Sequence, residues 1–191
     1  RYKYMDDMIK AGPVPFIGQG ARYQKARPPK ETADTNSDHQ PGPLAGLRVL
    51  ELSDEKGQFC GKLMGDLGAE VIKIEPIGGE PSRVVGPFLN DIPHRERSLS
   101  FWHYNTSKRG VTLNLETEDG RDLFRRLAAT ADVILETFAA GYLSSLGLGY
   151  ESLHESNPLL IMCSLTPFGQ TGPWRNYQAT DLTGVALGGS M

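Results

Sequence analysis

Glycines that bring backbone N–H groups to a phosphate are a common source of chemistry in α/β proteins, and one segment offers them. It reads Ser53-Asp54-Glu55-Lys56-Gly57-Gln58-Phe59-Cys60-Gly61-Lys62-Leu63-Met64-Gly65. A dinucleotide cradle needs GxGxxG directly after a strand. Here Gly57, Gly61 and Gly65 fall four apart, which is helical spacing and puts them on one helix face. Such a stripe lets another backbone approach closely and makes no phosphate cradle. Asp54 and Glu55 would repel a pyrophosphate, although Glu75 stands where a ribose-binding acid would. A nicotinamide-binding domain is therefore disfavoured. Cys60 and Cys163 are too isolated for a disulfide framework or a zinc site and read as two buried thiols of a reducing compartment. His39, His94, His103 and His154 form no HxxxH or HxH pair, so no metal site is expected. Lys56, Arg83, Lys108 and Arg109 are possible phosphate partners, with a solvated surface charge as the bland reading of each. Asp181 follows Thr180 where a last helix is expected to start. It either serves a site or merely caps that helix, since Asp is a favoured N-cap.

The elements that would position these residues begin at Leu44. Residues 1–43 read as a linker or appendage, with Gly12-Pro13, Pro28-Pro29 and Pro41-Gly42-Pro43 and a polar run from Lys30 to Gln40. Beyond them, strands are expected at 48–52, 70–75, 111–114, 132–136 and 159–165. Helices are expected at 57–67 and 117–130, with Thr117 as N-cap, and from about Thr180. A long Gly/Pro-rich excursion fills 76–99. Strands alternating with helices imply an α/β fold: an open, mostly parallel, Rossmann-like sheet with helices on both faces. Ligands in such sheets bind beyond the carboxyl ends of the strands. That singles out the loops 53–56, 76–86, 137–141 and 166–181.

Bulk properties narrow the classes. The chain has 191 residues, 39% of them hydrophobic, and a formal net charge of −3. This balance gives no electrostatic case for nucleic acid or an anionic membrane. No apolar run approaches a membrane span. The opening Arg1-Tyr2-Lys3-Tyr4 is unlike a signal peptide, so a cytoplasmic protein is expected.

Several segments resemble the family III CoA-transferases, the group that includes formyl-CoA transferase and α-methylacyl-CoA racemase. Gly65–Pro76 reads GDLGAEVIKIEP and is followed by GGEPSR at 78–83 and Gly86-Pro87-Phe88. The run from Asn105 to Leu115 resembles the family's NxxKRSxxLDL, and Asp132–Phe138 its ADVxxENF. Residues 146–161 resemble LGLGYExLxxxNPRLI, and Phe168–Pro173 reads FGQTGP. Together, in order, from Leu44 to Met191, these blocks identify the N-terminal portion of that fold. The resemblance implies a CoA-transferase that moves CoA between an acyl-CoA and a carboxylic acid through an aspartyl intermediate. CoA is then a substrate, no cofactor is bound permanently, and the subunits form an interlocked dimer. It implies that Lys56, Arg83, Lys108 and Arg109 meet CoA phosphates, that Phe138 packs on adenine or pantetheine, and that Leu113 lines the pocket. Thr180 and Asp181 would face the acyl end. The family's nucleophilic Asp falls roughly thirty residues beyond Asp181, outside this chain, so the chain alone is expected to be inactive.

Departures from the pattern keep alternatives open. Racemases of the family carry an acid/base His where Thr180 stands, and threonine does not titrate near neutral pH. The usual GP pair of the first loop is Gly57-Gln58. The ENFRPG run has lost its Asn and Arg at Thr137-Phe138-Ala139-Ala140-Gly141. Pro76 and Ser145 replace common basic residues. A half kept for assembly beside an active half, binding a partner and doing no chemistry itself, is the second reading.

Overall fold

The structure is a computed structural model and describes residues 42–189. The expected appendage at 1–43 lies almost wholly outside the described residues. Five strands form one all-parallel sheet: β1 (Arg48–Leu52), β2 (Glu70–Glu75), β3 (Lys108–Thr112), β4 (Val133–Glu136) and β5 (Ile161–Ser164). Their order across the sheet is β3-β2-β1-β4-β5. The chain therefore winds outward in one direction from β1 to β3 and in the other from β4 to β5. The reversal between β1 and β4 is the switch point, where open α/β sheets form their crevice. The α/β architecture expected from the sequence is the one observed.

Register explains why β1 and β2 read as nearly unbroken apolar runs. Leu50 opposes Ile72 on one side and Ile134 on the other, and Val49 likewise opposes Val71 and Val133. Successive side chains alternate faces, so both faces of β1 are covered and every β1 residue is buried. On the first face, Leu50, Leu52, Ile72, Ile74 and Ile134 pack with Phe124, Leu127 and Ala128 of a helix, α3 (Glu118–Ala128). The buried residues of α3 are Gly120, Phe124, Leu127 and Ala128, an i, i+4, i+7, i+8 stripe. Thr117 caps it as expected, accepting from the Gly120 N–H at 3.2 Å. On the second face, Val49, Ala69, Val71 and Val133 pack with Met64 of α1 (Gln58–Asp66).

The glycine stripe of α1 is turned onto the sheet, as a close-packing stripe should be. A Cβ at Gly61 would sit 1.7 Å from Glu51 Oε2, and one at Gly65 would sit 2.9 Å from the Ser107 carbonyl oxygen.

Four differences from the expected elements have physical causes. β3 begins at Lys108 and not at Val111, because it is an edge strand whose Lys-Arg-Gly start pairs only with β2. The excursion holds a helix, α2 (Leu99–Tyr104), capped by Ser98 Oγ, which accepts from the Phe101 N–H at 3.0 Å. Two short helices, α4 (Tyr142–Ser145) and α5 (Tyr150–Ser156), lie between β4 and β5. Both cysteines are exposed and not buried. Cys60 lies between Gln58 and Gly61 in α1, off the face that meets the sheet, and Cys163 lies on the edge strand β5. The last helix, α6 (Asp181–Leu187), starts where expected. No helix among the described residues is long and apolar enough to cross a membrane.

Candidate active site

The loops that follow β1 and β4 meet at the switch point. The Asp54 N–H donates to Thr137 Oγ1 at 2.9 Å. Lys56 folds back to pair with Asp54, and its N–H donates to Asp54 Oδ1 at 3.1 Å. Burial pushes the Asp54 carboxyl up, but the side-chain and backbone hydrogen bonds from Lys56 outweigh it and hold Asp54 below the ordinary Asp value. Phe138 is half-buried against Tyr142, with ring centroids 4.8 Å apart, and it presents an aromatic wall beside this junction.

A cleft of about 1220 Å³ opens at the carboxyl ends of β2 and β3. Its walls include Glu75, Gly78, Gly79, Arg83, Leu113 and Arg126. Gly78 and Gly79 have φ of +91° and +87°, so the turn that leaves β2 needs residues without a Cβ there. Arg83 stands in the wall, doubly bonded to Glu75: Nε to Oε2 at 2.6 Å and Nη2 to Oε1 at 2.8 Å. Its Nη1 reaches Glu96 at 3.2 Å, and its guanidinium carbon lies 3.9 Å from the Phe101 ring centroid. Burial pushes Glu75 up. The Arg83 bonds, the Glu80 N–H and the charge of Lys73 together overcome that and hold it below the ordinary Glu value. Leu113 is buried and belongs to both the cleft wall and the core.

Two expected phosphate partners are engaged elsewhere. The Lys108 side chain is 2% exposed and lies under α1. Its Nζ is 2.7 Å from Glu51 Oε2, an ion pair without hydrogen-bond alignment, and donates to the Gln58 carbonyl at 2.8 Å and to Asn105 Oδ1 at 3.0 Å. Burial pulls its pKa below the ordinary Lys value although Glu51 opposes this. Arg109 lies at the amino end of β3, where its Nη1 meets Glu70 Oε1 at 3.0 Å. Glu70 opens β2 and also pairs with Arg48, so this cluster is at the end of the sheet opposite the cleft. Sequence showed these charges but not the carboxylates that claim them.

Thr180 and Asp181 do not line the cleft. The capping alternative for Asp181 is overturned, because Thr180 does that work. Thr180 Oγ1 accepts from the Thr183 N–H at 3.4 Å, and Thr183 Oγ1 accepts from the Thr180 N–H at 2.8 Å. Asp181 is exposed in the first turn of α6, with no hydrogen bond or ion pair among the described residues.

Sequence reasoning passed over Glu136 and Gln170. Glu136 ends β4 and is 2% exposed. Burial raises its pKa above the ordinary Glu value, against the hydrogen bonds from Ser164 and the Phe138 N–H. Gln170 joins two of the expected loops: its Nε2 donates to Glu136 Oε1 at 3.3 Å, and its Oε1 accepts from the Gly141 N–H at 3.0 Å. The signal was present, a strand-end acid and a glutamine inside the FGQTGP block, but neither residue looks catalytic alone.

Comparison with known proteins adds to this geometry. The model of CoA-transferase family III matches residues 44–191. The chain is 44% identical to the succinyl-CoA:(R)-benzylsuccinate CoA-transferase subunit BbsE of Thauera aromatica, over 76% of this chain and 35% of that protein. It is 40% identical to the succinate–glutarate CoA-transferase of Agrobacterium fabrum, over 82% of this chain and 40% of that protein. The crystal structure of a CAIB/BAIF family protein from Brucella suis superposes with a TM-score of 0.72 at 45% identity, over 78% of this chain and 40% of that one. The chain thus spans well under half the length of these relatives. With a family model matched from the first turn before β1 to the last residue, and an all-parallel sheet shared with solved relatives, the chain belongs to CoA-transferase family III.

Proposed function

We propose that the protein to which this α/β layer belongs transfers CoA from an acyl-CoA to a carboxylic acid, with CoA held at the carboxyl ends of the strands. The observation that carries this reading is the cleft beyond β2 and β3, walled by a glycine turn and Arg83, in a sheet of this family. Arg83 and Lys56 sit at that end of the sheet and, with Arg126 of the cleft wall, are the cations placed to meet phosphates. Phe138 offers a face to adenine or pantetheine, and Leu113 closes the floor. The names of the relatives, which pair succinyl-CoA with benzylsuccinate and succinate with glutarate, favour dicarboxylic acids as donor and acceptor. The protein works in the cytoplasm as a dimer and needs no resident cofactor.

The chemistry runs through a carboxylate beyond Asp181. An Asp attacks the thioester carbonyl, giving a mixed anhydride and free CoA thiolate. The thiolate attacks the aspartyl carbonyl, which releases the donor acid and leaves CoA on the Asp as a thioester. The acceptor carboxylate then attacks this thioester, giving a second anhydride and free thiolate, and the thiolate attacks the acceptor's acyl carbon, which releases the Asp carboxylate. Asp181, spared from capping, supplies a second carboxylate at the acyl end. Thr180 has no titrating group, so proton abstraction by a His at that position is not part of the cycle.

The test is to quench the full-length protein during turnover of succinyl-CoA, trap the acyl-enzyme with hydroxylamine and map the modified residue by mass spectrometry. A modified Asp roughly thirty residues beyond Asp181 supports the reading. Modification of Asp181 itself would move the nucleophile into this chain. Turnover with no modified Asp would sink the covalent route.

A second reading is favoured by the sequestered Lys108 and Arg109: a partner-binding half without chemistry. It predicts that millimolar CoA leaves the melting temperature of the full-length protein unchanged, because a ligand stabilises only what it binds.

A further inference from the structure

Gly57-Gln58 is the place in the first loop where the family pattern has GP, and nothing in the transfer chemistry uses Gln58. The structure buries it to 1% exposure. Its Nε2 donates to Glu80 Oε2 and to Ser82 Oγ, both at 2.7 Å. Its Oε1 accepts from Asn105 Nδ2 at 3.2 Å. Glu80 and Ser82 are themselves buried, and Glu80 caps the turn of Pro81–Val84 that carries Arg83. The Glu80 N–H donates to Glu75 Oε2 at 3.0 Å, the same oxygen that Arg83 Nε bonds. One buried carboxamide thus joins the amino end of α1, the turn before Arg83 and the end of α2.

Resting on the CoA-transferase reading, we propose that Gln58 is a positioning residue: its carboxamide fastens the 80–83 turn to α1, and so fixes Arg83 in the cleft wall before CoA arrives. A buried amide whose donors and acceptor are all satisfied by two other segments specifies one arrangement of the three. An apolar side chain of the same length would fill the space and leave Glu80 short of a donor. Proline, which lacks the carboxamide, would leave the turn held by Glu75 and by Ser98 Oγ, which donates to the Ser82 carbonyl at 3.3 Å.

The experiment uses the full-length protein with Gln58→Met, which keeps the volume, and Gln58→Glu. The first readout needs no CoA: hydrogen exchange of a peptide covering 76–99. Exchange is expected about tenfold faster in Gln58→Met, with 118–128 unchanged. Unchanged exchange at 76–99 overturns the tie. The second readout is transfer from succinyl-CoA. The KM for succinyl-CoA is expected to rise about fivefold with kcat within about twofold. A kcat loss at constant KM overturns the positioning role. Gln58→Glu sets a new carboxyl against Glu80, while Lys108 stands at the backbone carbonyl of the same residue. Two carboxyls this close share a proton, so its KM is expected to fall toward the wild-type value as pH is lowered. A flat KM profile would show that the hydrogen bond is not what matters. If Gln58→Met fails to fold, Ser82→Ala removes one of the same bonds from the other side and takes its place. Wild-type protein without transfer activity would overturn the proposed function and leave the exchange readout to judge the tie alone.

Discussion

The two faces of the sheet are built on different principles. The face under α3 is filled with hydrocarbon: Leu50, Ile72, Ile74 and Ile134 against Phe124 and Leu127. The face under α1 holds a small apolar cluster around Val49 and Val71, and beside it a carboxylate between two ammonium groups. Glu51 is wholly buried, and Lys73 and Lys108 are each 2% exposed. Lys73 Nζ also donates to the Ser53 carbonyl at 2.7 Å, and Ser53 Oγ to Glu51 Oε1 at 2.9 Å. Ser53 opens the loop that reaches Thr137 at the switch point. One face therefore supplies stability, and the charged one spends some of it to fix the loops at the carboxyl ends. Burying charges costs several kcal/mol per ion, which good geometry recovers only in part.

The largest effects should come from damaging either face by its own logic. Phe124→Ala should lower stability by about 3–5 kcal/mol through the cavity it leaves, read as a lower urea midpoint. Glu51→Leu should cost a similar amount, about 3–5 kcal/mol, because two buried ammonium groups lose their counter-charge. The sharper contrast is the combined Glu51→Leu, Lys73→Met, Lys108→Met protein. If the charges serve position and not stability, its urea midpoint should stay close to wild type while CoA binding weakens. A midpoint as low as that of Glu51→Leu alone would mean that the cluster stabilises the fold in its own right.

A smaller effect separates the helices. Gly61→Ala in α1 must displace the pinned Glu51 carboxylate and should cost about 1–3 kcal/mol by overpacking. Alanine at this helical position would otherwise be mildly favourable. Thr117→Ala at the cap of α3 loses one hydrogen bond and should cost about 1 kcal/mol. A Gly61→Ala protein as stable as wild type would break the account of the glycine stripe, since α1 would then have room to move off the sheet.

The apolar face was legible in the sequence because periodicity reports burial directly. β1, β2 and β4 fall within a residue of their expected bounds, and α3 follows its stripe and its cap. The charged face was half legible. Glu51 and Lys73 sit inside runs of Val, Ile and Leu, and a charge there signals a buried pair, but no pattern says which strand holds its partner. Lys108 and Arg109 are drawn away from the cleft for the same reason: their carboxylates, Glu51 and Glu70, come from other strands. α4 and α5, four and seven residues long, are too short for a helical period to show.

The finest comparison is between two acids that end the two strands flanking β1. Glu75 ends β2 and Glu136 ends β4, both buried. Glu75 has Arg83 and a lowered pKa; Glu136 is in no ion pair among the described residues, and burial raises its pKa. The signs follow from linkage. Glu75 binds its proton less tightly when folded, so its contribution to stability is present above the unfolded pKa of about 4.3 and is lost as pH falls through the lower folded value. Glu136 binds its proton more tightly when folded, so its contribution falls as pH rises from about 4.3 through the higher folded value. Urea midpoints measured on both sides of about pH 4.3 should therefore respond oppositely. Glu136→Gln should gain on wild type as pH rises through the window, whereas Glu75→Gln should lose increasingly on wild type as pH rises from the acid end. Parallel profiles for the two variants would mean that the strand ends share one electrostatic environment. The guanidinium in the cleft wall would then not be what distinguishes the β2 side of the site from the β4 side.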